Sequence, residues 1–349
     1  MREIFPSFYG DFRCTASKCK DSCCIGWEID IDRNTFEKYM AVQGDMGEKL
    51  KKNISDSQPP YFRLTEGERC PFLKEDGLCE IICRLGEEYL CDICREHPRF
   101  HEWYCGTKLS GVSMCCEEGA RLIFKNGMDI EIKGEDENLG KWEAEFENAM
   151  LYLVSAARGE GDIFEKCSLI IRLAESFQRA ADNGEMWDFS PIGGEFAKKK
   201  SRDELLKKVI SFYIGLEKNS EIFGDILSEI LLKREKISKA SEEILKNQSS
   251  QRRYGETLAY FIYRYFLKGL EDGEVISKTG FACLSVLVIH LMDCLSLAKG
   301  VLTDDKIIEN AVLYSKEAEY SEDNLELLYD FIWEEDMGTA GLLTFFRAK

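Results

Sequence analysis

Two periodicities divide this chain. Trp27-Glu-Ile-Asp-Ile-Asp32 and Met128-Asp-Ile-Glu-Ile-Lys133 alternate apolar and charged residues, the period of a half-buried strand. From Leu139 onward apolar residues recur at i, i+3 and i+4, and the spacing predicts about seven helices. Leu169, Leu173 and Phe177 form one stripe; Leu205, Val209, Phe212 and Leu216 form another. Tyr254 to Leu270 reads as an aromatic-rich helix, with Tyr260, Phe261, Tyr263, Tyr265 and Phe266 expected in the core rather than around a ligand. The longest apolar run, Phe281 to Ala298, carries His290 and Asp293 and is short for a membrane span, so it reads as a buried helix.

Shorter signals punctuate the first third. Asp32 is placed to cap a helix bearing Phe36, Tyr39 and Met40 on one face. Gln58-Pro-Pro-Tyr61 reads as an extended connector, because each proline restricts itself and the residue before it. Cys70 to Cys79 reads as two short arms around an Asp76-Gly77 turn, which brings the two cysteines together. Glu80 to Leu90 is expected to be helical, and Cys115-Cys116 to lie where a loop enters a helix. A sulfur there is favoured as thiolate by the partial positive charge of the helix end. Gly184 to Lys200, with Pro191, Gly193 and Gly194, reads as a loop. The fold class that follows is mainly α, in two parts: a cysteine-rich α+β module over residues 1–134 and an all-helical domain over 135–349.

Composition narrows the functional classes. With 349 residues and a 44% apolar fraction the chain can bury a substantial core, and disorder is not expected. A formal charge of −18 argues against a nucleic-acid surface, which needs a basic face. The acidic balance suits solubility first and attraction of a cationic substrate second. Neither a dinucleotide fingerprint nor a phosphate loop occurs: Gly159-Glu-Gly161 lacks the third glycine and does not follow a strand. His97-Pro-Arg-Phe-His101 has a proline inside, so it is not the helical zinc pair of metalloproteases.

The chemistry lies in the cysteines. Twelve of fifteen fall in the first 116 residues, and Cys14, Cys19, Cys23 and Cys24 fall within eleven. Burial as small hydrophobes accounts for a few, such as Cys83 and Cys105, but not for adjacent pairs with close-spaced partners. Met1-Arg-Glu-Ile-Phe-Pro6 lacks an apolar leader, and the number of cysteines is odd. The expectation is therefore a cytoplasmic chain with reduced thiols, in which clustered cysteines are ligands or redox groups. Cys91-Asp-Ile-Cys94 has the spacing that lets two sulfurs reach one metal centre.

The order of these residues resembles a known family. Phe12-x-Cys14, Cys19-x-Asp21-Ser-Cys23-Cys24-x-x-Trp27, Ile31-Asp32 and Tyr39 are similar to the opening of flagellin lysine N-methylases. The likeness continues through Cys70-Pro-Phe-Leu73, Gly77-Leu-Cys79-x-Ile81, Leu85-Gly-Glu87, Cys94-x-x-x-Pro98-Arg99 and Cys116-x-Glu118-x-Ala120-Arg121, about a third of the chain. The wider set, with a zinc- or iron-chelating cysteine-rich domain, is functionally mixed.

The resemblance implies methyl transfer from S-adenosylmethionine to lysine ε-amines of flagellin or another lysine-bearing protein. It also implies an iron–sulfur cluster, a 4Fe-4S centre, with zinc as the alternative. The ligands it implies are Cys14, Cys19, Cys23, Cys24, Cys70, Cys79, Cys94 and Cys116. Cys83, Cys91, Cys105 and Cys115 receive no family role, and His97 and Glu117 depart from the pattern, standing where an aromatic residue and a proline are usual. No residue type in sequence context names a catalytic base or a donor pocket; Glu118 and Tyr39 are the candidate bases. No nucleic-acid or membrane partner is expected. The competing class is a non-catalytic metal-chelating or redox-sensing module that binds a protein partner.

Overall fold

The computed structural model describes residues 2–194, 196, 200–217, 220–334 and 336–346. It is mainly helical, with one small sheet contributed by the first third. Strands β1 (Arg2–Pro6), β2 (Arg99–Tyr104), β3 (Thr107–Val112) and β4 (Ile130–Lys133) lie in the order β2-β3-β1-β4. β1 runs parallel to β3, with Ile4 opposite Leu109, and antiparallel to β4, with Ile4 opposite Ile132. β2 and β3 form a hairpin closed by a two-residue loop, in which Cys105 takes a positive φ of 50°.

Between β1 and β2 lie four short helices: α1 (Arg33–Ala41), α2 (Gly44–Asn53), α3 (Glu80–Leu85) and α4 (Asp92–Glu96). Asp32 caps α1 as expected, its carboxylate accepting from the Thr35 N–H at 2.9 Å. The second carboxylate oxygen accepts from the Asp92 N–H at 3.0 Å, so the same side chain pins the start of α4. Ile29 and Ile31 are buried and Asp30 is exposed, as the alternation requires. That stretch is held by an isolated bridge, Asp30 to Tyr61, rather than by a continuous strand pair. The helix expected over Glu80–Leu90 is interrupted: Gly86 at φ 105° ends α3, and Glu87–Tyr89 forms a separate 3-10 turn.

After β3 come α5 (Glu117–Asn126) and, beyond β4, eleven α-helices among the described residues. They are α6 (Lys141–Arg158), α7 (Ile163–Asn183), α8 (Arg202–Gly215), α9 (Glu221–Leu232), α10 (Arg234–Leu245), α11 (Gln248–Tyr265), α12 (Gly269–Asp272), α13 (Val275–Ala298), α14 (Asp304–Glu319), α15 (Glu322–Trp333) and α16 (Gly338–Phe345). That exceeds the seven expected, because short breaks such as Lys233 between α9 and α10 do not interrupt the apolar periodicity. The stripe on α7 is also corrected: Leu169 is exposed, and Ile170 packs inward with Leu173, Ala174 and Phe177. Within the expected loop, residues 195 and 197–199 lie outside the described ones; Trp187 is buried against Phe177 and Phe146.

α13 is the axis of the helical part, packed against α7, α9, α10, α11, α14 and α15. It is long and apolar enough to cross a membrane, but it is buried within the protein along nearly its whole length. The aromatics of α11 are core residues, and Tyr263 reaches out of the helix to the sheet: its hydroxyl lies 2.9 Å from the Ile4 carbonyl and 2.7 Å from that of Ser110. Two apolar cores result. One joins the sheet and α5 to the helices; the other, from Ile29 to Cys94, gathers α1–α4 around Tyr39, Leu50, Phe62 and Phe72.

Candidate metal centre

The small core is where sulfur accumulates. Cys70 and Cys91 are buried within it, and Cys24, Cys79 and Cys94 pack against it. The Asp76-Gly77 turn forms as expected, with Gly77 at φ 77° and Leu73 bridged to Cys79. The Cys70 N–H donates to the Cys24 carbonyl at 2.8 Å, fixing the loop before Trp27 against the first arm. Cys79 and Cys91 occupy the cap positions of α3 and α4.

A second group forms where the N-terminal loop meets α5. Cys116 stands at the N-cap of α5 and packs against the larger core, and Cys14, Cys19 and Cys23 lie on the loop tied to that helix. The Lys20 N–H donates to Glu117 Oε2 at 2.9 Å, tying the loop to the first turn of α5. Gly119 permits the approach of α5 to the preceding segment, since a β-carbon there would overlap the Ser113 carbonyl oxygen. The departure at Glu117 thus has a structural role as a tether.

All fifteen thiols are free. Cys83 and Cys105, expected as buried hydrophobes, are both exposed, because one faces outward on α3 and the other forms the β-hairpin tip. Cys91, which the resemblance leaves without a role, lies in the small core with the implied ligands Cys24, Cys70, Cys79 and Cys94. The CxxC spacing was the available signal for it.

The electrostatics follow from crowding. Interaction with the Cys24 thiol raises Cys23, with burial and the neighbouring sulfurs adding to the rise. The same interaction lowers Cys24 to about 7, against the opposing effect of burial. Cys91 and Cys94 repeat the pattern, Cys91 lowered and Cys94 raised by their mutual interaction. Burial pushes Cys70 up to about 12, and raises Cys79 and Cys19. At Cys116 the N–H groups of Gly119 and Glu118 favour the thiolate, yet burial wins and carries it up to about 12. The expectation of a favoured thiolate at this helix end is corrected accordingly.

An aromatic wall backs the centre. Trp27 lies between His97, at 5.5 Å between ring centroids, and Tyr320, at 5.8 Å, and its indole N–H donates to the Cys23 carbonyl at 2.7 Å. Burial lowers His97 to about 4, with Lys316 and Arg264 contributing, so its ring is neutral. Behind the wall, Glu319 accepts from Tyr260 and Tyr265 at 2.9 and 2.8 Å and pairs with Arg264 at 2.9 Å. Tyr260 also takes the Met114 N–H at 3.1 Å, so this network holds the segment entering Cys115-Cys116. Of the two candidate bases, Tyr39 donates its hydroxyl to the Tyr89 carbonyl at 2.6 Å inside the small core, and burial raises its pKa. Glu118 is half-buried in the first turn of α5.

Two clefts of ligand size lie elsewhere. One, about 400 Å³, is lined by Trp142, Trp333, Asp182, Asp272 and Glu274 and suits a cationic guest. The other, about 410 Å³, is lined by Arg121, Phe124, Lys125, Arg252 and Arg253 and suits an anionic one. Arg121 connects this second cleft to the thiols through its 2.8 Å ion pair with Glu117.

The architecture is that of a mainly helical protein with a cluster of free thiols in its N-terminal third. Residues 149–344 match the FliB lysine N-methylase C-terminal domain, more than half of the chain, and the chain belongs to the FliB lysine N-methylase family. It is 33% identical over 152 residues to the flagellar biosynthetic protein FliU of Salmonella muenchen, covering 40% of this chain and 89% of that protein. It is 35% identical over 137 residues to the lysine-N-methylases of Salmonella choleraesuis and Salmonella typhimurium, covering 36% of this chain and 34% of each. The matched stretch thus spans about a third of those two enzymes. No solved structure matches the chain.

Proposed function

We propose that this protein transfers methyl groups from S-adenosylmethionine to lysine ε-amines of a protein substrate, flagellin, in the cytoplasm. Membership of the FliB lysine N-methylase family carries the reading. The names of the relatives, a flagellar biosynthetic protein and two lysine-N-methylases, support the substrate class and the reaction.

A thiolate-bound metal centre belongs to the same proposal. Nine clustered thiols, all free, are the sulfur donors the reading calls on. Among the described residues no three His, Cys, Asp or Glu side chains converge on the position of a single ion. Eight implied cysteine ligands exceed the four that a closed zinc site takes, which supports an iron–sulfur core over one zinc ion. Cys14, Cys19, Cys23, Cys24, Cys70, Cys79, Cys94 and Cys116 would hold it, with Cys91 beside them. When bound, it supplies a buried thiolate-iron charge and ties separated segments together.

The transfer requires a neutral lysine, because an ammonium has no lone pair. The nitrogen–methyl bond forms as the methyl–sulfur bond breaks, the electron pair stays on the donor sulfur, and the amine proton is lost. The chain's part is to orient the amine and strip it of water. Purified, metal-replete protein incubated with the donor should add increments of about 14 Da to flagellin lysines. Unmodified flagellin under those conditions overturns the reading.

The second reading, a non-catalytic metal-chelating or redox-sensing module that binds a partner, is favoured by one observation: the relative covered over 89% of its length carries a biosynthetic rather than an enzymatic name. Binding of flagellin without methylation would select it.

A further inference from the structure

We propose that the cleft between α5 and the N-terminal turns of α11 and α14 binds a phosphate monoester, its dianionic head held by Lys125, Arg252 and Arg253. The site is separate from the methyl-transfer reading above and goes beyond it.

Charge marks the cleft out. Acids outnumber bases 64 to 46 in the chain, yet four of the five charged residues lining this space are basic: Arg121, Lys125, Arg252 and Arg253, against Asp304. They come from two helices. Arg121 and Lys125 are one turn apart on α5, and Arg252 and Arg253 are consecutive on α11. Like charges gathered this way repel one another unless an anion stands among them.

The protein's own carboxylates answer only part of that charge. Arg121 is taken by Glu117 at 2.8 Å and Asp305 at 3.1 Å. Arg253 is mostly buried and not saturated. Its Nη2 stands 3.7 Å from Asp293 and 3.5 Å from Ser250 Oγ, and its buried Nε has no hydrogen-bond partner among the described residues. Asp293 already accepts from the Tyr254 hydroxyl at 2.8 Å and from Asn310 at 2.9 Å. Lys125 and Arg252 are exposed and pair with no carboxylate among the described residues. Asp304 is the first residue of α14, where the helix's own partial positive charge favours it. A guanidinium short of acceptors is costly to bury, and an oxyanion completes it.

Size and charge suit one compact dianion. The cleft, about 410 Å³, holds a small molecule. Lys125 and Arg252 leave two positive charges open. A phosphate monoester carries close to two negative charges at neutral pH, on three acceptor oxygens. The N-terminal ends of two long helices, α11 and α14, stand beside it and add partial positive charge. Phe124 and Ile308 supply an apolar wall for the body of the ester. S-adenosylmethionine, whose sulfonium and ammonium outweigh its carboxylate, has the wrong net charge for this space.

Isothermal titration calorimetry on the full-length protein, with adenosine monophosphate as the probe, tests the assignment. The probe should bind with a Kd below about 1 mM, and adenosine should not bind. Raising salt from about 0.05 to 0.5 M should weaken the interaction. Lys125→Ala and Arg252→Ala, both at exposed positions that leave the fold intact, should each weaken it about tenfold. Lys207→Ala, an equal loss of charge at an exposed site outside the cleft, should change nothing. Inorganic phosphate binding as tightly as the probe also supports the site, and shows that the head alone is recognised. Four outcomes overturn the proposal: no binding of either phosphate compound, binding indifferent to Lys125→Ala and Arg252→Ala, equal weakening in Lys207→Ala, or displacement of the probe by S-adenosylmethionine. The last would give the cleft to the methyl donor. None of the four bears against methyl transfer itself, which is read from flagellin mass.

Discussion

The backbone N–H of Lys20 donates to the carboxylate of Glu117 at 2.9 Å, joining residues 97 positions apart. This bond brings the Cys14–Cys24 loop to the helix that Cys116 begins. Glu117 also pairs with Arg121, and Asp305 takes both the Lys20 ammonium at 2.7 Å and Arg121 at 3.1 Å.

Glu117→Ala should therefore loosen the loop with little global effect. The loss of one charged acceptor is worth about 1–2 kcal/mol locally. Lys18 and Lys20 are both exposed, so trypsin should cut after them faster in the variant, while the thermal midpoint moves little. Unchanged cleavage would show that the tether does not restrain the loop.

Gly119→Ala should displace the first turn of α5. The added carbon meets the Ser113 carbonyl, and backbone cannot yield as a flexible side chain can. Overpacking of this kind costs about 1–3 kcal/mol. Urea denaturation should show that loss, and metal content should fall with it if Cys116 is displaced. Wild-type stability would refute the close packing.

Glu319→Ala should be among the most damaging single changes. It leaves Arg264 buried without its carboxylate and removes the acceptor of two tyrosines. Breaking one side of a buried pair costs about 3–5 kcal/mol. Glu309→Ala, exposed on the same helix, should cost no more than about 0.5 kcal/mol. Equal urea midpoints for the two variants would defeat the assignment.

His290 should make the fold acid-sensitive. It is buried on α13, its Nε2 2.7 Å from Ser241 Oγ, with Phe164 and Tyr254 edge-on. Burial, with Arg202 and Arg253 adding, lowers it from 6.5 to about 3. A histidine lowered in the folded state leaves the unfolded chain binding the extra proton. Stability is thus intact above pH 6.5 and falls as pH drops toward 3, by about 2 kcal/mol between pH 7 and 5. Asp293, raised by burial, acts in the opposite sense and is present in both proteins compared. Urea melts at the two pH values should show a smaller difference in His290→Gln; an identical difference would assign the acid sensitivity elsewhere.

Local signals were legible without coordinates. The Asp32 cap, the Asp76-Gly77 turn, the β4 alternation and the buried aromatic face of α11 each depend on residues close in sequence, where steric and hydrogen-bonding rules act directly. The concentration of cysteines was legible for the same reason, since it is a property of the chain. Leu169 was misplaced because a helical period defines a face but not its exact centre; one residue along, Ile170 takes the buried position.

The sequence by itself therefore determined that the protein is mainly helical, that an α+β region precedes the helices, and that this region holds most of the cysteines. The tertiary structure alone decided which sulfurs are neighbours, and that β1 lies parallel to β3 with Arg2 opposite Thr107. It also turned Glu117 into a tether and joined Glu319 to Arg264 across two helices. The reason is physical: spacing sets what a short segment can form, but contacts between distant segments follow from which apolar faces share a core. Cys24 went with the small core, and Cys116 went with the large one.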